Sequence, residues 1–198
     1  MQECDKYDKT FIHPFDDKKV IAGQATLFLE IINQFKNHLD YLFIPIGGGG
    51  LISGAINVFK QLSPKSKIIG IEPKGAPSMS KSINKNKLIT LNRIDGFVDG
   101  VAVKKVGNYS FDYCKEHLDD LIILDENEIC NSILELKLCE NIIAEPAGAM
   151  SSAALRHYRH KIINKNIGCI ICGANNDNSR MPEIIKRADI WKSNNLKN

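Results

Sequence analysis

The chain has 198 residues, 43% hydrophobic and 25% charged, with a formal net charge of +3. That length suffices for one well-cored domain, and the composition is that of an ordinary globular protein. No Lys/Arg stripe alternates with aromatics, which argues against nucleic acid, and no apolar run approaches the roughly 20 residues of a membrane span.

The opening MQECDKYDKT is polar and has no secretory core. Cys4, Cys114, Cys130, Cys139, Cys169 and Cys172 are scattered without a compact framework, so a reduced, cytoplasmic setting is expected. In chain order, ATLFLEIINQFKNHL repeats apolar residues at Ala25, Phe28, Ile32, Phe35 and Leu39, which predicts a helix as far as Leu39. YLFIPI (41–46) is short, apolar and followed by glycines, the pattern of a buried strand. LISGAINVFKQL (51–62) puts Ile52, Ala55, Ile56 and Phe59 on one helical face, and Ser63-Pro64 ends it. KIIGIEP (67–73) reads as a second buried strand, completing a βαβ crossover with parallel strands.

Farther on, DLIIL (120–124) is strand-like. Asp125 starts a helix with Glu128 three residues on, in the manner of a capping box, and Ile129, Ile133 and Leu136 form its inner face. AGAMSSAALRHY (147–158) is helical, IGCIIC (167–172) is another buried strand, and RMPEIIKRADIW closes the pattern as a helix. The tail KSNNLKN is polar and expected to fray. This alternation predicts an α/β fold with a mainly parallel sheet flanked by helices. Ligands in such sheets sit at the carboxyl ends of strands, where Gly47–Gly50 falls.

Four consecutive glycines running into a helix offer free amides and the positive end of a helix dipole, which suit a phosphate. A P-loop needs Lys followed by Ser or Thr after the last glycine, and none is present. A dinucleotide fingerprint, G-x-G-x-x-G, fails in both registers: its last position falls on Ile52 or Ser53. Glu72 does end the second strand where a ribose-binding acid would stand, so that reading stays open. The remaining readings are a single phosphate on a small cofactor and a purely structural turn.

Other candidates point to structure. Cys169 and Cys172 spell C-x-x-C, but residues three apart on a strand face opposite ways, against redox or zinc chemistry. His157 and His160 share a helical face without an obvious third ligand, so a solvated surface is expected. His13 is expected to order a turn around Pro14.

Six motifs in order settle among the phosphate readings: FIHPFDDKKVIAGQAT (11–26), IPIGGGGLISG (44–54), GIEPKGAPSM (70–79), IDGFVDGVAVKKVG (94–107), AEPAGAMSSAAL (144–155) and ICGANND (171–177). Together they resemble the threonine dehydratases (threonine ammonia-lyases) of the biosynthetic branch. These enzymes depend on pyridoxal 5'-phosphate and have the tryptophan synthase β-like fold, fold type II. The match runs from about residue 10 to 190. The resemblance implies that Gly47, Gly48, Gly49, Gly50 and Leu51 grip the cofactor phosphate through their amides, with a phosphate oxygen in the space of the missing β-carbons. It also implies conversion of L-threonine to 2-oxobutanoate and ammonia, in isoleucine biosynthesis, by a cytoplasmic homo-oligomer.

Where the family usually carries a Ser facing the pyridine nitrogen, this sequence has Cys172. A thiol is a weaker donor, though it can face a neutral ring nitrogen, and a neutral ring fits β-elimination better than transamination. Some serine dehydratases of this fold use cysteine there, so a serine preference is an alternative. Glu145 in AEPAGA and Asp99 in VDGVAV fall in motifs near the family's cofactor cleft, but capping or loop bonding is the favoured role for both. Glu72, Ala76 and Ser80 overlap a region where some relatives hold a metal, but Ser80 lacks a carboxylate, so no metal site is expected. The family's lysine that bonds to the cofactor lies in a Ser-x-Lys-x-Arg motif beside a substrate-carboxylate loop, and neither occurs in these residues. The expectation is therefore the C-terminal portion of a catalytic domain over 1–190 and a polar tail over 191–198, inactive alone. The competing readings are a non-catalytic α/β module for a phosphorylated ligand or partner chain, and a dinucleotide-dependent oxidoreductase.

Overall fold

The computed structural model describes residues 2–195. In chain order, a short helix α1 (Gln2–Tyr7) precedes α2 (Lys18–Gln34), which leads to strand β1 (Tyr41–Pro45). The crossover helix α3 (Gly50–Leu62) connects β1 to β2 (Lys67–Pro73). Then come α4 (Ser78–Asn84), α5 (Asn108–His117), β3 (Asp120–Leu124), α6 (Glu126–Cys139), α7 (Pro146–Tyr158), β4 (Ile167–Cys169) and α8 (Met181–Asn195).

The four strands are all parallel, in the order β3-β2-β1-β4, as the strand–helix alternation predicts. Tyr41 is in register with Lys67 on one side and Ile167 on the other. The pleat divides β1 between two cores. Tyr41 and Phe43 join Ile69, Ile71 and the inner faces of α6, α7 and α8. Leu42 and Ile44 join Phe28 of α2, Ile52, Ile56 and Phe59 of α3, and Phe111 of α5. With both faces covered, β1 is buried along its whole length, which explains why its sequence is a continuous apolar run rather than an alternation.

Several boundaries differ from the sequence reading. Asp17 caps α2 by accepting from the Lys19 and Val20 amides, and the helix ends at Gln34 rather than Leu39. Leu39 is buried from a loop instead, where its carbonyl accepts the Ser66 hydroxyl at 2.6 Å. Asp125 does cap α6, through the Asn127 amide, but no reciprocal box forms because Glu128 turns its carboxylate to His157 at 3.0 Å. β4 pairs only over 167–169, not to Cys172. The register would next set residue 171 against Pro45, which has no N–H for the ladder. α8 continues to Asn195, so residues 191–195 are helical rather than frayed, and the rest of the predicted tail lies outside the described residues.

Candidate functional site

The turn from β1 into α3 places Gly47–Gly50 at the carboxyl edge of the sheet. Gly49 is the N-cap of α3 with φ 93°, a left-handed conformation that glycine adopts without a β-carbon penalty. The first bonds of α3 reach the Gly49 carbonyl, from the Ser53 amide at 3.0 Å and the Ser53 hydroxyl at 2.7 Å. Consequently the amides of Gly47 to Leu51 donate to no protein acceptor among the described residues. They sit at the positive end of the α3 dipole.

Protein, not open space, fills the β-carbon directions of these glycines. A β-carbon on Gly48 would overlap the Phe15 ring, and one on Gly50 would lie 3.1 Å from the Phe15 carbonyl. On Gly49 it would stand 2.5 Å from the Ser110 β-carbon, and on Gly47 3.1 Å from the Val101 α-carbon. This corrects the expectation that a phosphate oxygen occupies that space. The glycines admit neighbouring segments of the chain, and what remains for an anion is the row of amides.

Phe15 is held there by a strap, residues 11–17. His13 orders it, as expected, by accepting the Phe15 and Asp16 amides at Nδ1, at 3.3 and 2.8 Å. Asp16 in turn accepts from the Tyr109 amide at 3.0 Å and the Asn108 side chain at 2.8 Å, tying the strap to the first turn of α5. Gly107 donates to the Gly48 carbonyl at 2.9 Å, so the loop is pinned from this side too.

Gly47–Leu51 line a pocket of about 310 Å³, with Phe15, Gly100, Glu145 and Cys172 among its other walls. Cys172 thus shares the pocket with the glycine loop, although 121 positions separate it from Leu51 in sequence. Partial burial raises the pKa of its thiol, and the Glu145 carboxylate adds to the shift. Cys169 turns elsewhere, its sulfur 3.6 Å from the Ser151 carbonyl. No group of three or more His, Cys, Asp or Glu could hold a metal among the described residues. His157 faces Glu128, and His160 accepts from Arg159. A larger groove of about 400 Å³ lies between α2, α3 and α5, lined by apolar residues such as Ile21, Leu29 and Val58 and by Lys18, Asn57 and Gln61, and it does not include the glycine loop.

Three further candidates resolve. Glu72 accepts the Met79 and Ser80 amides at 2.7 and 2.8 Å, so both its oxygens cap α4 and are engaged where a metal would need them. Burial pushes its pKa up to about 7. Asp99 makes an exposed ion pair with Arg180 at 3.4 Å, a loop contact as expected. Glu145 stands at the N-cap position of α7, but its side chain makes no capping bond and lies in the pocket, correcting the structural role expected of it. Sequence reasoning also missed Phe15, whose only local signal is the turn motif around Pro14. No lysine among the described residues lines the pocket.

The profile of a family described as pyridoxal-phosphate dependent enzyme matches residues 2–173. The biosynthetic L-threonine dehydratase IlvA of Halalkalibacterium halodurans is 48% identical over 187 residues, covering 94% of this chain and 45% of its own length. Its namesake in Bacillus subtilis is 45% identical over 189 residues, covering 96% of this chain and 45% of its own. Among solved structures, the processed form of threonine deaminase isoform 2 from Solanum lycopersicum superposes with a TM-score of 0.89 at 38% identity. That match covers 96% of this chain and 52% of the tomato one. The chain therefore spans about half the length of these relatives.

Proposed function

Since the chain belongs to the family of pyridoxal-phosphate-dependent enzymes, we propose that Gly47–Leu51 hold the cofactor phosphate in an enzyme that dehydrates L-threonine. Its products are 2-oxobutanoate and ammonia, a step of isoleucine biosynthesis; the bacterial relatives are named biosynthetic L-threonine dehydratases, which supports the substrate. One observation carries the reading: five consecutive amides at the N-terminus of a helix whose N-cap, Gly49, is left-handed, without protein acceptors among the described residues, lining a pocket. Phosphate supplies the acceptor oxygens and negative charge that such a row and the helix dipole favour. The donor set fits the group.

When bound, pyridoxal phosphate supplies the electron sink that lets the α-carbon release its proton and the β-hydroxyl leave. The residues of this chain bind and orient. The amides fix the phosphate end, Phe15 and Val101 pack against the loop, and Cys172 lines the ring end. Because no lysine among the described residues lines the pocket, we assign the proton transfer at the α-carbon to no residue of the described chain. Residues 1–190 are proposed as the C-terminal portion of a catalytic domain, working in a cytoplasmic homo-oligomer on a small amino acid. Among the described residues, no helix is long and apolar enough to cross a membrane.

The test mixes the purified chain with the complementary N-terminal segment of a close relative, which carries the cofactor-bonding lysine. Threonine dehydration is expected from the mixture and from neither part alone; changing that lysine to alanine should abolish it. Turnover of threonine by the 198-residue chain above the free-cofactor background would overturn this division of roles. Phosphate binding without any activity in the mixture would favour a non-catalytic module, the reading suggested by the missing lysine.

A further inference from the structure

The pocket has a second polar group besides the amide row. Glu145 lines the same pocket as the amide row, with a carboxylate that caps nothing. No Lys, Arg or His among the described residues pairs with it. Two glycines from separate motifs leave room for it. A β-carbon on Gly173 would stand 2.5 Å from its Oε1, and one on Gly100 3.1 Å from the same oxygen. Two backbone segments thus give up side chains around one carboxylate that has no cation.

Such an arrangement is unfavourable for a plain anion, because the carboxylate opposes at one end what the amides attract at the other. An ionised carboxylate only accepts hydrogen bonds, so its natural partner is a ligand that brings a polar hydrogen. We infer that Glu145 accepts a hydrogen bond from the ring end of the cofactor, an N–H or O–H on its polar edge, while Gly47–Leu51 hold the phosphate. The pocket then selects a ligand with a phosphate at one end and a hydrogen-bond donor at the other. This rests on the cofactor reading above. It also gives Gly100 and Gly173 a purpose: they clear the space in which the carboxylate stands.

The experiment uses the full 198-residue chain and pyridoxine 5'-phosphate, which has the ring and phosphate but no aldehyde to bond with surface lysines. Inorganic phosphate is the control, and calorimetry gives both affinities. Glu145→Gln keeps the size of the side chain and removes the charge. It should weaken pyridoxine 5'-phosphate about tenfold to a hundredfold, the range of a charge-assisted hydrogen bond, while phosphate binds no less tightly. An analogue lacking the ring hydroxyl identifies the donor. A Glu145→Gln effect that vanishes with it assigns the O–H, and one that persists assigns the N–H. Should Glu145→Gln unfold on thermal melting, Gly173→Ala displaces the carboxylate without removing its charge, and the same selective loss is expected. Equal weakening of both ligands, or none of the ring compound, overturns the role of Glu145 and leaves the cofactor reading intact. A parent chain that binds neither ligand overturns the cofactor reading and this inference with it.

Discussion

The two ends of the pocket are built by different means. The amide end comes from one unbroken stretch, Gly47–Leu51, and its shape is dictated by β1 running into α3. The carboxylate end is assembled from Gly100, Glu145 and Cys172–Gly173, three segments brought together only by the sheet order. The first end uses backbone, whose chemistry is the same for every residue, and so constrains only conformation. The second uses one side chain, that of Glu145, and constrains the identity of that residue and of the glycines around it. Substitutions at the amide end should therefore act through stability, and those at the carboxylate end through ligand choice.

The sharpest way to break that contrast is Gly49→Val. A branched side chain there meets both the left-handed backbone and the Ser110 β-carbon at 2.5 Å. The expected loss of stability is about 2–5 kcal/mol in urea denaturation, from backbone strain and overpacking together. Phosphate binding should be lost with it. A variant as stable as the parent would show that the loop is free of its packing.

A smaller effect concerns the support beneath the loop. Glu72 caps α4, and the Met79 side chain of α4 lies 3.3 Å from the β-carbon site of Gly49. The folded-state pKa of Glu72 is raised to about 7, so its contribution to stability is fully present below the ordinary carboxylate range. Between that range and pH 7 the folded state keeps a proton that the unfolded state gives up. Stability should then fall as pH rises, by on the order of 2 kcal/mol. Glu72→Gln should flatten that slope in melts recorded from pH 4 to pH 8. A slope unchanged by the substitution would assign the pH dependence to other groups.

The smallest effect is at the carboxylate end. Cys172→Ser should change stability by less than about 0.5 kcal/mol, as for a substitution away from the core, and ligand affinity by less than about twofold. A larger loss of affinity would make the thiol itself, rather than its position, the feature the ligand reads.

This difference in construction also explains what could be read from the sequence. The apolar runs of β1 and β2 and the stripe of α3 are local patterns, and each became the element they predicted, as did the parallel sheet. The place of the glycine tetrad, at the turn from β1 into α3, was legible for the same reason. Phe15 and Glu145 were not, because their roles come from distant segments: Phe15 from Gly48 and Glu145 from Gly173. The overlong β4 failed for a related reason. IGCIIC is strand-like throughout, but pairing depends on its neighbour, and Pro45 ends the ladder. α4 and α5 carried no strong apolar period, and both begin in contacts made elsewhere in the chain: α4 with Glu72, α5 with Asp16.

The Phe15 ring filling the β-carbon space of Gly48 has one more consequence, for the use of glycine runs as signatures. Because the strap, Ser110 and Val101 claim the space around Gly47–Gly50, selection for folding alone is enough to keep these glycines. A descendant released from catalysis would retain the tetrad for as long as it folded, and a motif search would still count it as an enzyme. Glu145 has no such protection: its carboxylate bonds to nothing among the described residues, so drift would erase it early. Among divergent copies of this fold, an intact tetrad beside a missing glutamate would therefore mark a lineage that has kept its shape and abandoned its chemistry.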